Sequence, residues 1–290
     1  MDEHALDELD EMETDAEARR SQPSRGMYLL PSLFTAGNMA AGFYAITQSV
    51  QGSLFDTSYF DRAALAIGIA VLFDGVDGIV ARATNTTSAF GRELDSLADV
   101  ITFGVAPSLL AYIWGFRMMP ALANPNLRGQ IMHLGVFVCF IFLICGASRL
   151  ARFNISINPQ PRNPGRPGKK YFVGMPIPAG AGVIASVIHF QEGSPIDNPW
   201  IALVWVALIG FTSFLMVSNW RFWSAKEMTS GKRRPFQVVA VIAVFGALIA
   251  MYHRYMLIIL AMVYLVSGVL ARLAYSWGRR RRHAGNVQQG

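Results

Sequence analysis

Charged side chains are scarce in this sequence: they make up 15% of its 290 residues, whereas 53% of the residues are hydrophobic. The apolar residues form long runs separated by short polar breaks, a distribution typical of proteins that cross a membrane several times. Cysteine is nearly absent as well. Because Cys139 and Cys145 both lie in one apolar run, a disulfide framework or a thiolate metal site is a poor interpretation.

Acidic residues are rare outside the N-terminal segment. Nine of the nineteen acids lie in the first seventeen positions, and only ten are spread over the rest of the chain. Residues 1–26 are therefore predicted to be a disordered acidic cytoplasmic tail. The segment has an acidic start and no apolar run, so we interpret it neither as a signal peptide nor as a transit peptide.

The apolar runs predict an all-α, polytopic membrane protein with about eight transmembrane helices. A transmembrane domain would occupy residues 27–277, followed by a basic cytoplasmic tail over 278–290. The predicted spans cover 28–48, 62–82, 95–116, 129–149, 173–191, 199–218, 235–252 and 255–275. The fifth contains VGMPIPAGAG, whose prolines and glycines predict a bent or late-starting helix.

Basic residues predict the topology. Arginines and lysines collect before the first span, after the last, and in every second break between spans, so both termini should face the cytoplasm of a cell (inner) membrane. The run of four arginines at 279–282 is better explained by contact with anionic membrane lipids than by nucleic-acid binding.

Four aspartates contrast with this apolar background, because each costs about 2.5–3.5 kcal/mol near the centre of a membrane helix. Asp74 and Asp77 are spaced i, i+3 at the end of the second span, and Asp95 and Asp99 are spaced i, i+4 at the start of the third. A short loop joins the spans, so the four carboxylates should meet. Such a cluster would repel itself unless cations lay within it, and oxygen ligands suit two Mg²⁺ or Mn²⁺ ions.

Small and basic residues follow the aspartates and suggest what the cations would serve. Gly78 and Ala81 would let a bulky ligand approach the helix backbone, Arg82 could neutralise phosphate, and Gly91 opens the start of the third span. Together with divalent cations, these residues indicate a diphosphate site and displacement at phosphorus.

Two other interpretations of the aspartates stay open at this point. The carboxylates could pair with arginines and only hold helices together; the available partners are Arg82, Arg92, Arg149 and Arg152. They could instead line a proton or cation path in a transporter.

The full spacing is D-x-x-D-G-x-x-A-R-x8-G-x3-D-x3-D, with eight defined positions across 26 residues. It resembles the signature of the CDP-alcohol phosphatidyltransferase family. The resemblance implies that family's fold and an enzyme that converts a CDP-linked lipid and an alcohol into a phosphodiester lipid and CMP. The catalytic site would then lie in the 27–277 domain.

The resemblance also implies roles for individual residues. Three aspartates would hold two metal ions, and Asp99 would complete the cluster and act as the general base. The implied metal ligands are Asp74, Asp77, Asp95 and Asp99, and the implied nucleotide-binding residues are Thr35, Asn38, Gly78, Ala81, Arg82 and Gly91.

The flanking segments, over roughly residues 28–220, resemble the serine-accepting members of the family. Ser32 and Thr102 differ from the residues that these members often have at the same positions, but both are small polar side chains. This implies CDP-diacylglycerol and L-serine as substrates, and the family suggests a homodimer. Glycerol 3-phosphate and inositol are the alternative acceptors. Because the serine carboxylate needs a guanidinium partner, Arg149 and Arg152 are the candidates for serine binding, against an ordinary anchoring role at the membrane surface.

Overall fold

The fold is given by a computed structural model, which describes residues 29–84, 89–120, 125–155, 172–222, 251–273 and 275. Both predicted tails and nearly all of the predicted span 235–252 lie outside the described residues. The division of the chain into two tails and one domain over 27–277 therefore stays a prediction.

The described chain is built almost entirely of helices. Its α-helices are α1 (Leu29–Gln51), α2 (Ser58–Thr84), α3 (Ala89–Asp99), α4 (Ala106–Tyr112), α5 (Pro125–Ile155), α6 (Ile177–Phe190), α7 (Pro199–Val217) and α8 (Met251–Leu273). Two π-helical segments, Val100–Val105 and Ile113–Arg117, continue α3 and α4, so that residues 89–117 form one helical rod. Two short strands, β1 (Phe172–Val173) and β2 (Arg221–Phe222), pair antiparallel.

Several of these helices are suited to a membrane. Within the described residues, four segments are long and apolar enough to cross one: Phe90–Arg117, Asn126–Ile155, Pro199–Val217 and Met251–Leu273. Helices α1 and α2 have 23 and 27 residues, whereas α6 is a shorter apolar helix of 14. The prediction of an all-α membrane protein is confirmed, and the count of eight spans stays a prediction.

The beginning of α6 follows from its prolines. Pro176 has an extended backbone, with φ −60° and ψ 144°, and the helix begins at the next residue, Ile177. Proline lacks the amide hydrogen that a helix interior requires, but it fits the first turn, where Pro178 lies. The late start predicted for this span is therefore confirmed.

The rod 89–117 is the central element. It contacts α1, α5 and α6, and more of it is buried than of α8. Gly115 allows a close approach here, because a Cβ atom would lie 2.4 Å from Nε1 of Trp205. The Trp205 indole donates to the carbonyl of Ala111 (3.2 Å) and packs edge-to-face against Trp114. This packing fixes α7 against the rod.

A chain of hydrogen bonds joins three helices at the end of α6. His189 is 1% exposed; its Nδ1 lies 2.6 Å from Oδ1 of Asp61 on α2, and its Nε2 lies 2.7 Å from Nδ1 of His253 on α8. A neutral imidazole can serve both neighbours, donating to the carboxylate and accepting from the second ring. These hydrogen bonds thus anchor the N-terminal end of α8, a helix that is otherwise little buried.

Replacing His189 with alanine is expected to lower the melting temperature of the purified protein. The substitution leaves Asp61 and His253 without this partner, and losing a buried hydrogen-bond partner costs about 1–3 kcal/mol. His133→Ala is the matched control, since that side chain is exposed on α5, and it should leave the melting temperature unchanged. An equal melting temperature for the two variants would contradict the anchoring role.

Where the chain enters α2, the loop acid Asp56 is held by the first residue of the helix. The Ser58 hydroxyl and amide donate to Oδ1 of Asp56 at 2.6 and 3.1 Å. The hydroxyl bond is the main cause that holds the pKa of Asp56 below its ordinary value, because hydrogen bonds to a carboxylate favour its charged form.

Candidate active site

Three of the four predicted aspartates meet in the structure. Asp74 comes from α2, and Asp95 and Asp99 come from consecutive turns of α3. One carboxylate oxygen from each lies within 4.8 Å of the other two. Asp99 is buried, at 8% exposure, and the other two are half-buried. In the part of the chain that the structure describes, these three aspartates form the group of side chains that could hold a metal ion.

The side chains of residues 76–84 lie outside the described residues, although their backbone continues α2. Four predicted site residues fall there: Asp77, Gly78, Ala81 and Arg82. Their roles stay predictions. The loop 85–88 that joins α2 to α3 lies outside the described residues as well.

The three carboxylates line a cleft of about 460 Å³. Its wall is formed by α3, by the C-terminal end of α5 and by the beginning of α6. The lining residues are Asp74, Arg92, Glu93, Asp95, Ser96, Asp99, Arg149, Leu150, Phe153, Asn154, Pro176, Ile177 and Pro178. The cleft thus places acidic side chains, which suit divalent cations, near two guanidinium groups, which suit anionic groups of a substrate.

Two predicted nucleotide-binding residues of α1, Thr35 and Asn38, are buried at 4% and 1% exposure and are not among the cleft-lining residues. The Asn38 amide instead donates from Nδ2 to Oδ1 of Asp99, at 3.2 Å. Gly91 lies in the first turn of α3 and is not a lining residue either. The structure thus connects Asn38 directly to the carboxylate cluster.

The fold that carries this cleft can be compared with known proteins. The model of the CDP-alcohol phosphatidyltransferase family matches residues 28–194, which include every described carboxylate of the cluster. The chain belongs to this family. The resemblance drawn from the aspartate spacing is confirmed.

Individual relatives of this CDP-alcohol phosphatidyltransferase cover most of the chain. It is 35% identical to a CDP-diacylglycerol–serine O-phosphatidyltransferase of Helicobacter pylori, over 86% of this chain and 92% of the relative. It is 33% identical to the protein of that name from Bacillus subtilis, over 71% of this chain and 99% of the relative. A Saccharomyces cerevisiae protein of the same name is 34% identical over 56% of this chain and 54% of the relative.

The two candidate arginines occupy different surroundings in this transferase. Arg149 is 7% exposed and lines the cleft, where its guanidinium lies 5.3 Å from the centre of the Phe153 ring. Arg152 is not a lining residue. Its Nη1 donates to the carbonyl of Val217 (3.1 Å), the last residue of α7, and to Oδ1 of Asn219 (3.2 Å). Of the two candidates, Arg149 is therefore the one that lines the cleft.

The segment before α6 is fixed by the end of α7, which sets the position of one cleft wall. The amide of Gly174 donates to the carbonyl of Trp220 (2.9 Å), and that of Met175 donates to the carbonyl of Leu215 (3.0 Å). Gly174 has φ +74°, and a Cβ atom there would lie 2.5 Å from the Met216 carbonyl oxygen. Only glycine fits such a position without strain.

Sequence reasoning missed the pair that joins the two sides of the cleft. Nδ2 of Asn154, at the end of α5, donates to Oγ of Ser96 on α3 (2.8 Å), and the Ser96 hydroxyl donates to the carbonyl of Arg92 (2.9 Å). The only sequence signal for Ser96 was its position between Asp95 and Asp99, one turn before the latter.

Proposed function

We propose that this CDP-alcohol phosphatidyltransferase transfers the phosphatidyl group of CDP-diacylglycerol to the hydroxyl of L-serine and releases CMP. The observation that carries the proposal is the meeting of three carboxylates, from Asp74, Asp95 and Asp99, at a cleft that also contains Arg149. The serine specificity is supported by the names of the relatives in Helicobacter pylori and Bacillus subtilis.

The acidic cluster fits divalent cations, because its oxygens lie close together and carboxylates are the ligands that hard cations prefer. Asp74, Asp95 and Asp99, with Asp77 as the fourth ligand, would hold two ions, either Mg²⁺ or Mn²⁺. When bound, these ions would stabilise negative charge on the diphosphate of the substrate.

The nucleotide half of the substrate would lie along α2. Gly78 and Ala81 carry no large side chain that would obstruct a cytidine diphosphate, and Arg82 supplies a positive charge for its phosphates. We assign Thr35 and Gly91 to the same half of the site, on the basis of the family resemblance. Thr35 lies one turn before Asn38, which donates to Asp99, and Gly91 lies one turn before Asp95 on α3.

In the reaction itself, Asp99 takes the proton of the serine hydroxyl. The serine oxygen attacks the phosphorus that carries diacylglycerol, so that a new oxygen–phosphorus bond forms. The bond from that phosphorus to the CMP oxygen breaks, and CMP leaves with the electron pair.

Arg149 would bind the carboxylate of serine. Its guanidinium can form two parallel hydrogen bonds to a carboxylate, and the ring of Phe153 holds it from one side. This contact would distinguish an amino acid from inositol, which carries no anionic group.

The protein would work in the cell membrane with its site open to the cytoplasm. The support is the excess of arginine and lysine in the breaks that flank the site. CDP-diacylglycerol would then enter sideways from the lipid. We also propose a homodimer, which chemical crosslinking of the protein in native membranes would test.

The function is tested by CMP release from the purified protein in detergent with CDP-diacylglycerol and Mn²⁺ or Mg²⁺. L-serine, glycerol 3-phosphate and inositol are supplied in turn. Release that needs both serine and the metal supports the proposal. Release with another acceptor would keep the chemistry but overturn the specificity, and metal flux across vesicles without CMP release would favour a transporter.

A further inference from the structure

The contact between α1 and the acidic cluster is made by a buried amide. Nδ2 of Asn38 donates to Oδ1 of Asp99 across 61 positions of sequence, and the two residues are only 1% and 8% exposed. In the described part of the chain, Oδ1 of Asn38 has no hydrogen-bond partner, so Asp99 is the partner that this amide serves.

A second contact fixes the backbone of Asn38 against the same helical rod. The hydroxyl of Thr102, which is fully buried, donates to the carbonyl of Asn38 (3.1 Å). One turn further along α1, Gly42 faces Thr102 so closely that a Cβ atom would lie 2.4 Å from the Thr102 hydroxyl oxygen. Because α1 cannot shift along the rod, the Asn38 amide is held at a set position beside Asp99.

The hydrogen bond from Asn38 to one oxygen of the Asp99 carboxylate restricts the rotation of the whole carboxylate group. With Oδ1 held by an amide hydrogen, the Asp99 carboxylate has a defined rotation, and Oδ2 remains for the cluster and for a proton from the acceptor. Such supporting hydrogen bonds commonly orient the side chains that bind metals or perform chemistry.

We propose that Asn38 is a positioning residue, which orients the Asp99 carboxylate within the acidic cluster. This proposal differs from the nucleotide contact that the family resemblance implied for Asn38. It rests on the proposed function for its kinetic consequence, but its effect on metal binding requires neither lipid nor serine.

The first test is Mn²⁺ binding by the purified full-length protein, measured by electron paramagnetic resonance without lipid substrate or serine. Asn38→Leu keeps the size of the side chain and removes the donor. We expect it to weaken Mn²⁺ binding by about 10-fold or more, as loss of a supporting hydrogen bond typically does. Gln48→Leu is the matched control: it removes a buried amide from the same helix, about 15 Å further along, and should leave Mn²⁺ affinity unchanged.

A double variant tests whether Asn38 acts through Asp99. If it does, Asp99→Asn and the Asn38→Leu, Asp99→Asn pair should bind Mn²⁺ equally, because the partner of Asn38 is already altered. Additive losses in the double variant would overturn the proposal, and so would unchanged Mn²⁺ affinity in Asn38→Leu. Should Asn38→Leu fail to elute as a folded protein, Asn38→Ser provides the same test with a side chain too short to reach Asp99.

The second test is kinetic. We expect Asn38→Leu to lower kcat for serine-dependent CMP release by about 10-fold or more, with little change in KM for CDP-diacylglycerol. A raised KM for CDP-diacylglycerol with unchanged kcat would instead establish the nucleotide contact. If the wild-type protein released no CMP, the proposed function would fail, whereas the Mn²⁺ measurements would still decide the role of Asn38.

Discussion

Asp99→Asn should reduce serine-dependent CMP release by at least about 100-fold, because general-base catalysis typically contributes a factor of 100 to 10,000. Asparagine has nearly the same shape but cannot accept the proton of the acceptor hydroxyl. Asp95→Asn should have a comparable effect, since it removes a carboxylate that lies within 4.8 Å of Asp74 and Asp99. The measurement is the initial rate of CMP release by equal amounts of purified protein in detergent.

Asp197→Asn is the matched control, because this acid is exposed in the loop before α7. It should release CMP at the wild-type rate, and all three variants should elute from size exclusion as the wild-type protein does. Activity retained in Asp99→Asn would remove the general base from the mechanism. Retained activity in both cluster variants would return the aspartates to a structural or transport role.

Arg149→Met should raise KM for L-serine by about 10- to 100-fold, because a hydrogen bond to a charged group contributes about 1.5–3 kcal/mol. Methionine keeps much of the side-chain volume but cannot pair with the serine carboxylate. KM for CDP-diacylglycerol should change little, since the nucleotide is assigned to α2. Initial rates over a range of serine concentrations measure this effect.

Arg152→Met provides the comparison, because it removes the same charge one turn further along α5. Its expected effect is a lower melting temperature, through loss of the bonds to Val217 and Asn219, with KM for serine unchanged. If KM for serine rose in Arg152→Met and not in Arg149→Met, the assignment of the two arginines would be reversed. If neither changed, serine would be bound by other residues.

Much of the fold could be predicted from local patterns. Long apolar runs identified α1, α2, the rod 89–117, α5 and α7, because a helix is the form in which a single segment satisfies its backbone in lipid. Proline placement predicted the late start of α6. Local patterns do not predict that residues 89–117 include two π-helical segments, since the departure from α-helical geometry depends on packing around the rod.

The candidate site was predictable to the extent that it is built from near neighbours. Asp95 and Asp99 share a helix face by their spacing, and a short loop brings Asp74 to them. Contacts between distant positions were not predictable. The bond from Asn154 to Ser96 spans 58 positions, and the bond from His189 to Asp61 spans 128, so only the packed helices bring these pairs together.

The contact of Asn38 is another that could not be predicted from the sequence. The family resemblance implied a nucleotide contact for Asn38, as it did for Thr35. The sequence carried no signal that α1 packs on the rod 89–117 through Gly42 and Thr102. That packing directs the amide to Asp99.

The decisive measurement of serine phosphatidyl transfer by this protein follows labelled serine into lipid. The purified protein, with CDP-diacylglycerol and Mn²⁺, is incubated with radiolabelled L-serine, and the organic extract is resolved by chromatography. We expect one labelled phospholipid, formed in equal amount to the CMP released and abolished by a chelator or by Asp99→Asn. CMP release without label in the lipid, or labelled lipid formed equally well by Asp99→Asn, would contradict it.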